Sequence, residues 1–409
     1  MKVTHMICCG LDIHKGVVRA CLRQVADDGQ VGKEFREFET TLPALQEMLS
    51  WLVEQKCRVV AMESTGEYWK PVYHVLCQAT EVIVGNPADM KRRPGNKTDK
   101  LDADWISELL AHDLIAPSFI PPPEIRALRD LTRMRVALVQ SRAQAKNRVH
   151  KTLEDTNIKL GCVASDVFGK SGRRMLDALI AGERDPKVLS QMALGRMRSK
   201  IPQLEAALQG MFTAHHGAII GLSLEQIDLL ERQIGQLDKR IADAMALFAP
   251  VVKRLESIPG VAQEAARQIV AEIGLDMTRF GSAGRLASWA GMCPGNNESA
   301  GKRKKGKTRK GNRYLRRTLV QCAWATRKTN TYLGGTFRRL QARLGGKKAA
   351  VAVGHKILVI IYHLLETGTT YNDKLDDRLD PRMEERRRKN LVKGLERLGY
   401  TVSLEKPAA

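Results

Sequence analysis

Residues 6–22, Met-Ile-Cys-Cys-Gly-Leu-Asp-Ile-His-Lys-Gly-Val-Val-Arg-Ala-Cys-Leu, hold an apolar run, a tight turn and a second apolar run. This reads as two short strands joined by a hairpin, with Asp12 where the first strand ends and the turn begun by Lys15-Gly16. Working outward, residues 34–38 alternate as a third strand and residues 42–54 have helical periodicity. Residues 58–62 are a buried strand ending at Glu63, 68–76 are helical, 81–84 are strand-like and 99–112 form a helix. That order implies a mixed sheet flanked by helices. Pro117 and Pro121-Pro122-Pro123 mark its boundary.

The remaining sequence is helical in pattern. Residues 124–154 read as a long helix dense in arginine and lysine. A second long helix over 224–248 repeats Ile227, Leu230, Ile234, Leu237, Ile241, Ala244 and Phe248 in alternating steps of three and four. This is a coiled-coil seam that favours two strands, and it fits either pairing of two chains or an ordinary bundle helix. Ser257-Ile258-Pro259-Gly260-Val261, followed by an Ala-rich helix to Ile273, resembles a helix-hairpin-helix turn. There the backbone at Gly260 can hold a DNA phosphate; a plain packing turn is the alternative. The divisions expected are 1–120, 121–250, 251–345 and 346–409.

A chain of 409 residues suggests two or three domains. Its formal charge of +22 favours a polyanion, nucleic acid above all. No basic amphipathic helix supports a membrane surface. The apolar stretch 349–365 is broken by Gly354, His355 and Lys356 and reads as a buried helix. Eight cysteines without a C-x-x-C pair point to reduced thiols in the cytoplasm.

The chemistry lies in four acids. Asp12 and Glu63 end strands of one sheet, and Asp99 and Asp102 lie three apart on one helix. Convergent carboxylates repel unless cations sit between them, and hard oxygen donors of this kind suit Mg²⁺ or Mn²⁺. Two such ions serve phosphodiester chemistry. Asp104, just beyond the pair, is acidic as well. Ser299 precedes a basic stretch without acids: Lys302, Arg303, Lys304, Lys305, Lys307, Arg309, Lys310, Arg313, Arg316 and Arg317. Chemistry alone reads it as a turn serine, since no histidine or local base accompanies it. The basic residues suit nucleic-acid backbone binding.

Gly-Leu-Asp12-Ile-His-Lys, Met-Glu63-Ser-Thr-Gly-Glu-Tyr-Trp-Lys-Pro and Lys-Thr-Asp99-Lys-Leu-Asp102-Ala-Asp-Trp-Ile resemble the DEDD transposases of the bacterial insertion-sequence 110 family. The likeness continues through Ile258-Pro259-Gly260, Ala287-Ser-Trp-Ala-Gly291 and Cys293-Pro-Gly-Asn-Asn-Glu-Ser299-Ala-Gly301. It implies an α/β plus α fold: an N-terminal ribonuclease-H-like (RuvC-like) mixed sheet, a helical coiled-coil region and a mostly helical C-terminal transposase domain. It implies that Asp12, Glu63, Asp99 and Asp102 bind the metal and that Ser299 is a covalent nucleophile brought to the carboxylates of another subunit. It further implies donor and target DNA as partners, a structured noncoding guide RNA and a homo-oligomer. Two other readings stay open: a junction resolvase that hydrolyses with water, and a non-catalytic nucleic-acid-binding protein.

Gly301-Lys-Arg-Lys-Lys-Gly306-Lys307-Thr308 matches the P-loop pattern, but it follows a polar loop rather than a buried strand. Asn297-Glu298-Ser299 matches a glycosylation sequon, which has no meaning in a reduced cytoplasm. His14 reads as a turn residue, and His355, His363 and Trp289 as packing residues.

Overall fold

The computed structural model describes residues 3–64, 66–90, 99–294, 298–299, 302–303, 308, 310–373, 388–389, 391–393 and 395–403. The chain divides into two compact units, Met1–Ile120 and Pro121–Ala409.

The first unit is built on a five-stranded sheet: β1 (Ile7–Ile13), β2 (Val17–Val25), β3 (Val31–Glu39), β4 (Val59–Glu63) and β5 (Glu81–Gly85). Its order is β3-β2-β1-β4-β5, with β1, β2 and β3 antiparallel and β4 and β5 parallel to β1. This is the ribonuclease-H-like mixed sheet that the sequence leads one to expect. Strands β2 and β3 run further than their apolar alternation, because backbone pairing continues through polar residues to Val25↔Val31.

Period-two alternation divides the sheet into two apolar faces. Cys9, Leu11, Val18, Ala20, Leu22, Val60 and Met62 pack on α1 (Leu42–Glu54) and α2 (Trp69–Leu76). Helix α1 supplies Leu45, Met48, Trp51 and Leu52 at helical spacing. Cys8, Val59 and Ala61 face the other way, with α3 (Pro87–Met90) and α4 (Asp99–Ala111) on that side. Gly10 lets α4 lie flat on the sheet. A Cβ there would meet the Ala103 carbonyl oxygen at 2.2 Å and the Ser107 nitrogen at 2.3 Å.

The second unit begins with α5 (Pro123–Asp155). Helices α6 (Leu160–Val163), α7 (Lys170–Ala181), α8 (Pro186–Gln191) and α9 (Ile201–Ala207) follow, and α10 (Ala214–Ala244) returns along α5. Ion pairs and hydrogen bonds fix the antiparallel register: Arg135 with Asp238, Arg142 with Glu231 at 3.5 Å, and Arg148 with Gln226. The sequence gives no sign of the first ten residues of α10, which are entered through a Thr213–His216 capping box.

Within the seam, Ile227, Leu230, Ile234 and Ile241 are buried in the chain itself, along the helix that packs on α5. Of the two readings of the seam, the bundle helix describes these four residues, while Leu237 remains half-buried and Ala244 exposed. Ala244 ends the helix and Phe248 lies in a following 3-10 turn, so the repeat breaks there.

Helices α11 (Ala249–Glu256) and α12 (Gln263–Ile273) flank the 257–262 turn, and α13 (Ala283–Trp289), α14 (Arg313–Thr326), α15 (Tyr332–Leu344) and α16 (Gly346–Thr367) complete the unit. Helix α16 is longer than its apolar stretch suggests. It has 22 residues, and an 18-residue window within it has a mean hydropathy of 1.5, which reaches the length and composition of a membrane span. Yet it packs on α13, α14 and α15, with Val353, Ile357, Leu358 and Ile361 fully buried. His363, expected as a packing residue, is instead exposed and paired with Glu366 at 3.3 Å.

Candidate active site

The carboxyl ends of β1 and β4 bring two of the four acids together. Leu11 is in register with Met62, so the next step sets Asp12 beside Glu63 on parallel strands about 4.8 Å apart. Both belong to the face that carries Gly10 and Ala61, the side covered by α4. The same row continues across the sheet. Asp12 is opposite Arg19, Arg19 is opposite Glu37 with a 2.9 Å hydrogen bond between their side chains, and Glu63 is opposite Gly85.

His14 Nε2 lies 3.0 Å from Asp12 Oδ2. It lies in the turn as read, its N–H donating to the Val17 carbonyl at 2.9 Å, and the structure adds the contact of its ring with the Asp12 carboxylate. Arg19 was missed, because its place beside Asp12 depends on a register that spacing alone does not reveal.

Helix α4 runs antiparallel to β1, since Cys8 Sγ reaches the Ser107 carbonyl at 3.5 Å while Gly10 lies against Ala103 and Ser107. Moving from Cys8 to Asp12 covers about 13 Å of strand, and moving back from Ser107 to residue 99 covers about 12 Å of helix. The first turn of α4 therefore comes level with Asp12. Asp102 is exposed there, and the Asp99 side chain lies outside the described residues. Among the described residues no group of three or more His, Cys, Asp or Glu could hold a metal ion. Asp12 and Glu63, adjacent oxygen donors at a strand-end rim, still fit a hard divalent cation as part of a larger ligand set.

Asp104 belongs to a different structure. It accepts hydrogen bonds from Arg23 at 2.7 Å and from Lys33 at 2.7 Å, and Arg23 also donates to Ser107 Oγ at 3.0 Å. Arg23 is only 6% exposed, so this network ties α4 to β2 and β3.

In the second unit, Ser299 lies in a two-residue strand, β6 (Glu298–Ser299), opposite β7 (Lys302–Arg303), with Ser299 paired to Lys302. Pro294 and Thr308 form a further bridge toward the base. Two-residue strands carry no periodicity, so the loop gives no sign of them in sequence. The side chains of Ser299, Lys302 and Arg303 lie outside the described residues, as do Lys304, Lys305, Lys307 and Arg309 altogether. Lys310, Arg313 and Arg317 are exposed, and Arg316 is half-buried. The P-loop match finds no support, because Lys302–Arg303 is a strand and the next helix opens only at Arg313.

The base of this loop is closely packed and hydrogen-bonded. Gly311 packs so closely on Gly291 that a Cβ would meet its nitrogen at 2.3 Å. Asn312 caps α14 by accepting from Tyr314 and Leu315 backbone N–H groups, each at 3.1 Å. Its side-chain amide donates to Glu272 at 2.6 Å, and Arg133 holds the same buried carboxylate with two 2.8 Å bonds. Gly260 has φ +85°, and a Cβ there would meet the Cys322 carbonyl oxygen at 2.5 Å. Close packing on α14 therefore accounts for this glycine without a DNA contact.

Residues 9–158 match a family model described as "Transposase" and named for IS110 DEDD transposases; they span Asp12, Glu63, Asp99 and Asp102. Residues 252–337, which span Gly260 and Ser299, match "Transposase IS116/IS110/IS902 family". Over 327 residues the chain is 25% identical to "Transposase for insertion sequence element IS1328" of Yersinia enterocolitica, covering 77% of this chain and 85% of that protein. It is 26% identical over 330 residues to "Putative transposase y4rJ" of Sinorhizobium fredii, covering 74% and 75%. Over 211 residues it is 26% identical to "Insertion element IS110 uncharacterized 43.6 kDa protein" of Streptomyces coelicolor, covering 50% and 46%.

Proposed function

The chain belongs to the IS110 family of DEDD transposases, and we propose that it cuts and rejoins DNA with a site made of two halves. One half is Asp12, Glu63, Asp99 and Asp102; the other is Ser299 with its basic loop, contributed by a second chain. The observation that carries the first half is the register setting Asp12 beside Glu63 on the face covered by α4.

The four acids are the residues that would hold Mg²⁺ or Mn²⁺, which polarises a scissile phosphate and lowers the pKa of an attacking hydroxyl. His14 orients Asp12 through its 3.0 Å contact. Ser299 Oγ attacks the phosphorus, forming a serine–phosphate ester as the bond to the leaving sugar oxygen breaks. The serine proton passes to solvent, and the leaving oxygen takes one up. A hydroxyl of the partner strand reverses the exchange, releasing the serine and joining the new strands. Cations of the loop, among them Lys310, Arg313 and Arg317, bind DNA phosphates and stabilise charge in the transition state. A structured RNA pairing with donor and target DNA selects the sites; sequencing nucleic acid that copurifies with the protein tests this, and a random mixture counts against it.

Nicking and strand transfer on donor and target DNA in Mg²⁺ test the chemistry. Asp12→Asn and Glu63→Gln are expected to abolish both, and Ser299→Ala to lower both by more than about a thousandfold. Unchanged cutting by Ser299→Ala makes the enzyme a water-using resolvase. Unchanged processing by Asp12→Asn and Glu63→Gln makes it a binding protein.

A further inference from the structure

Between Glu298 and Glu366 the chain contains no Asp or Glu, yet it carries eighteen of its 67 lysines and arginines. The basic loop accounts for only the beginning of that stretch. Helix α14 continues it, exposing Arg313, Arg317, Gln321 and Trp324 at steps of four, four and three, which makes one helical face, and the exposed Lys328 follows in the turn after it. At its far end Arg327, Lys328, Arg338, Gln341 and Ala342 line an open cleft of about 520 Å³.

A charged surface is usually just solvated, but this one differs from the basic surface of α5. There Arg129, Arg133, Arg135, Arg142 and Lys146 all have carboxylate partners. In the cleft, Arg327 and Lys328 have no ion pair among the described residues. Arg338 is fixed in place, donating to the Arg327 carbonyl at 3.0 Å and the Thr329 carbonyl at 2.9 Å. Trp324 is 40% exposed beside them, tilted against Phe337 with ring centroids 5.1 Å apart and with the Arg327 guanidinium 6.0 Å from its ring centroid. An anchored indole with exposed surface, next to cations without carboxylate partners, is what a base and its phosphates require together.

We propose that the α14–α15 cleft binds an unpaired nucleic-acid strand, with Arg327, Lys328 and Arg338 on phosphates and a base stacked on Trp324. A duplex keeps its bases stacked on one another and offers the indole no free face. The cleft lies about 21 Å along α14 from Arg313, the length of about six stacked nucleotides, so a strand leaving the basic loop can reach it. This site does not rest on the serine chemistry, because Ser299→Ala leaves every one of its residues in place.

Fluorescence anisotropy on the full chain tests it, with 20-nucleotide single-stranded DNA, single-stranded RNA and duplex DNA titrated from 50 to 200 mM salt. For single strands, Arg327→Ala/Lys328→Ala is expected to reduce the log–log salt slope by about 1.4, two phosphate contacts at about 0.7 each. Trp324→Leu is expected to weaken single-strand binding about tenfold, with the slope and duplex affinity unchanged. Since Trp324 also packs on Phe337, Lys328→Glu at an exposed position provides a second variant, with the same selective loss for single strands. Tighter binding of the RNA identifies a looped RNA as occupant, and tighter binding of the DNA a displaced DNA strand; either supports the site. An unchanged single-strand slope in the double variant overturns it, as does equal weakening of duplex and single strand by Trp324→Leu and Lys328→Glu.

Discussion

Asp102 and Asp104 are two positions apart on one helix, and the environment of each gives it a different role. Asp104 pairs with Arg23 and Lys33, and removing its charge leaves the 6% exposed Arg23 with Glu108, 3.6 Å away, as its remaining carboxylate. Asp104→Asn should therefore lower unfolding free energy by about 1–2 kcal/mol, below the scale for leaving a buried charge wholly unpaired. Asp102 is exposed, so Asp102→Asn should keep stability within about 0.5 kcal/mol. If Asp102 belongs to the metal-binding set, the same variant loses DNA cleavage. Urea denaturation beside a nicking assay separates the two, and a stable Asp104→Asn protein would contradict the structural role of the network. The sequence could flag three neighbouring acids but not sort them, because Arg23 and Lys33 reach Asp104 only through strand pairing. Arg19 escaped for the same reason.

At the scale of elements, period-two and 3.6-residue patterns made the sheet, α1, α4 and α5 legible to within a few residues. What escaped was set by tertiary contact. The α10 seam fits a bundle helix or a second chain equally well in sequence, and only the packing of α5 along it shows an intrachain partner, while β6 and β7 are too short to show a period. The sheet also carries a pH response. Burial pushes the Cys8 and Cys57 thiols up to about 12, from 9.0, and raises those of Cys9 and Cys21. A thiol whose folded pKa lies above its unfolded one binds the proton more tightly when folded. Its contribution is complete below pH 9 and is lost as pH rises from 9 toward 12. Cys8 and Cys57 should each cost up to about 1.4 kcal/mol of stability per pH unit in that window. Urea midpoints at pH 8.5, 9.5 and 10.5 measure the fall, and Cys57→Ala should make it shallower. An identical slope in that variant would place the alkaline sensitivity elsewhere.

For the whole molecule, the +22 charge announced a polyanion, and its arrangement says more than its size. Cations on α5 are largely paired with carboxylates, whereas the stretch after Glu298 keeps none within it. The carboxylates lie in the first unit and the serine in the second. Each half was legible as a motif, but the metal ligands and the serine's role rest on chemistry that neither unit displays alone. The most direct test is to quench the reaction on end-labelled DNA in Mg²⁺, digest the protein and map any DNA-linked peptide by mass spectrometry. The proposed mechanism predicts a phosphodiester on Ser299, absent from Ser299→Ala and from Asp12→Asn. Cleaved DNA with free ends and no linked peptide, or a link to another residue, would contradict it.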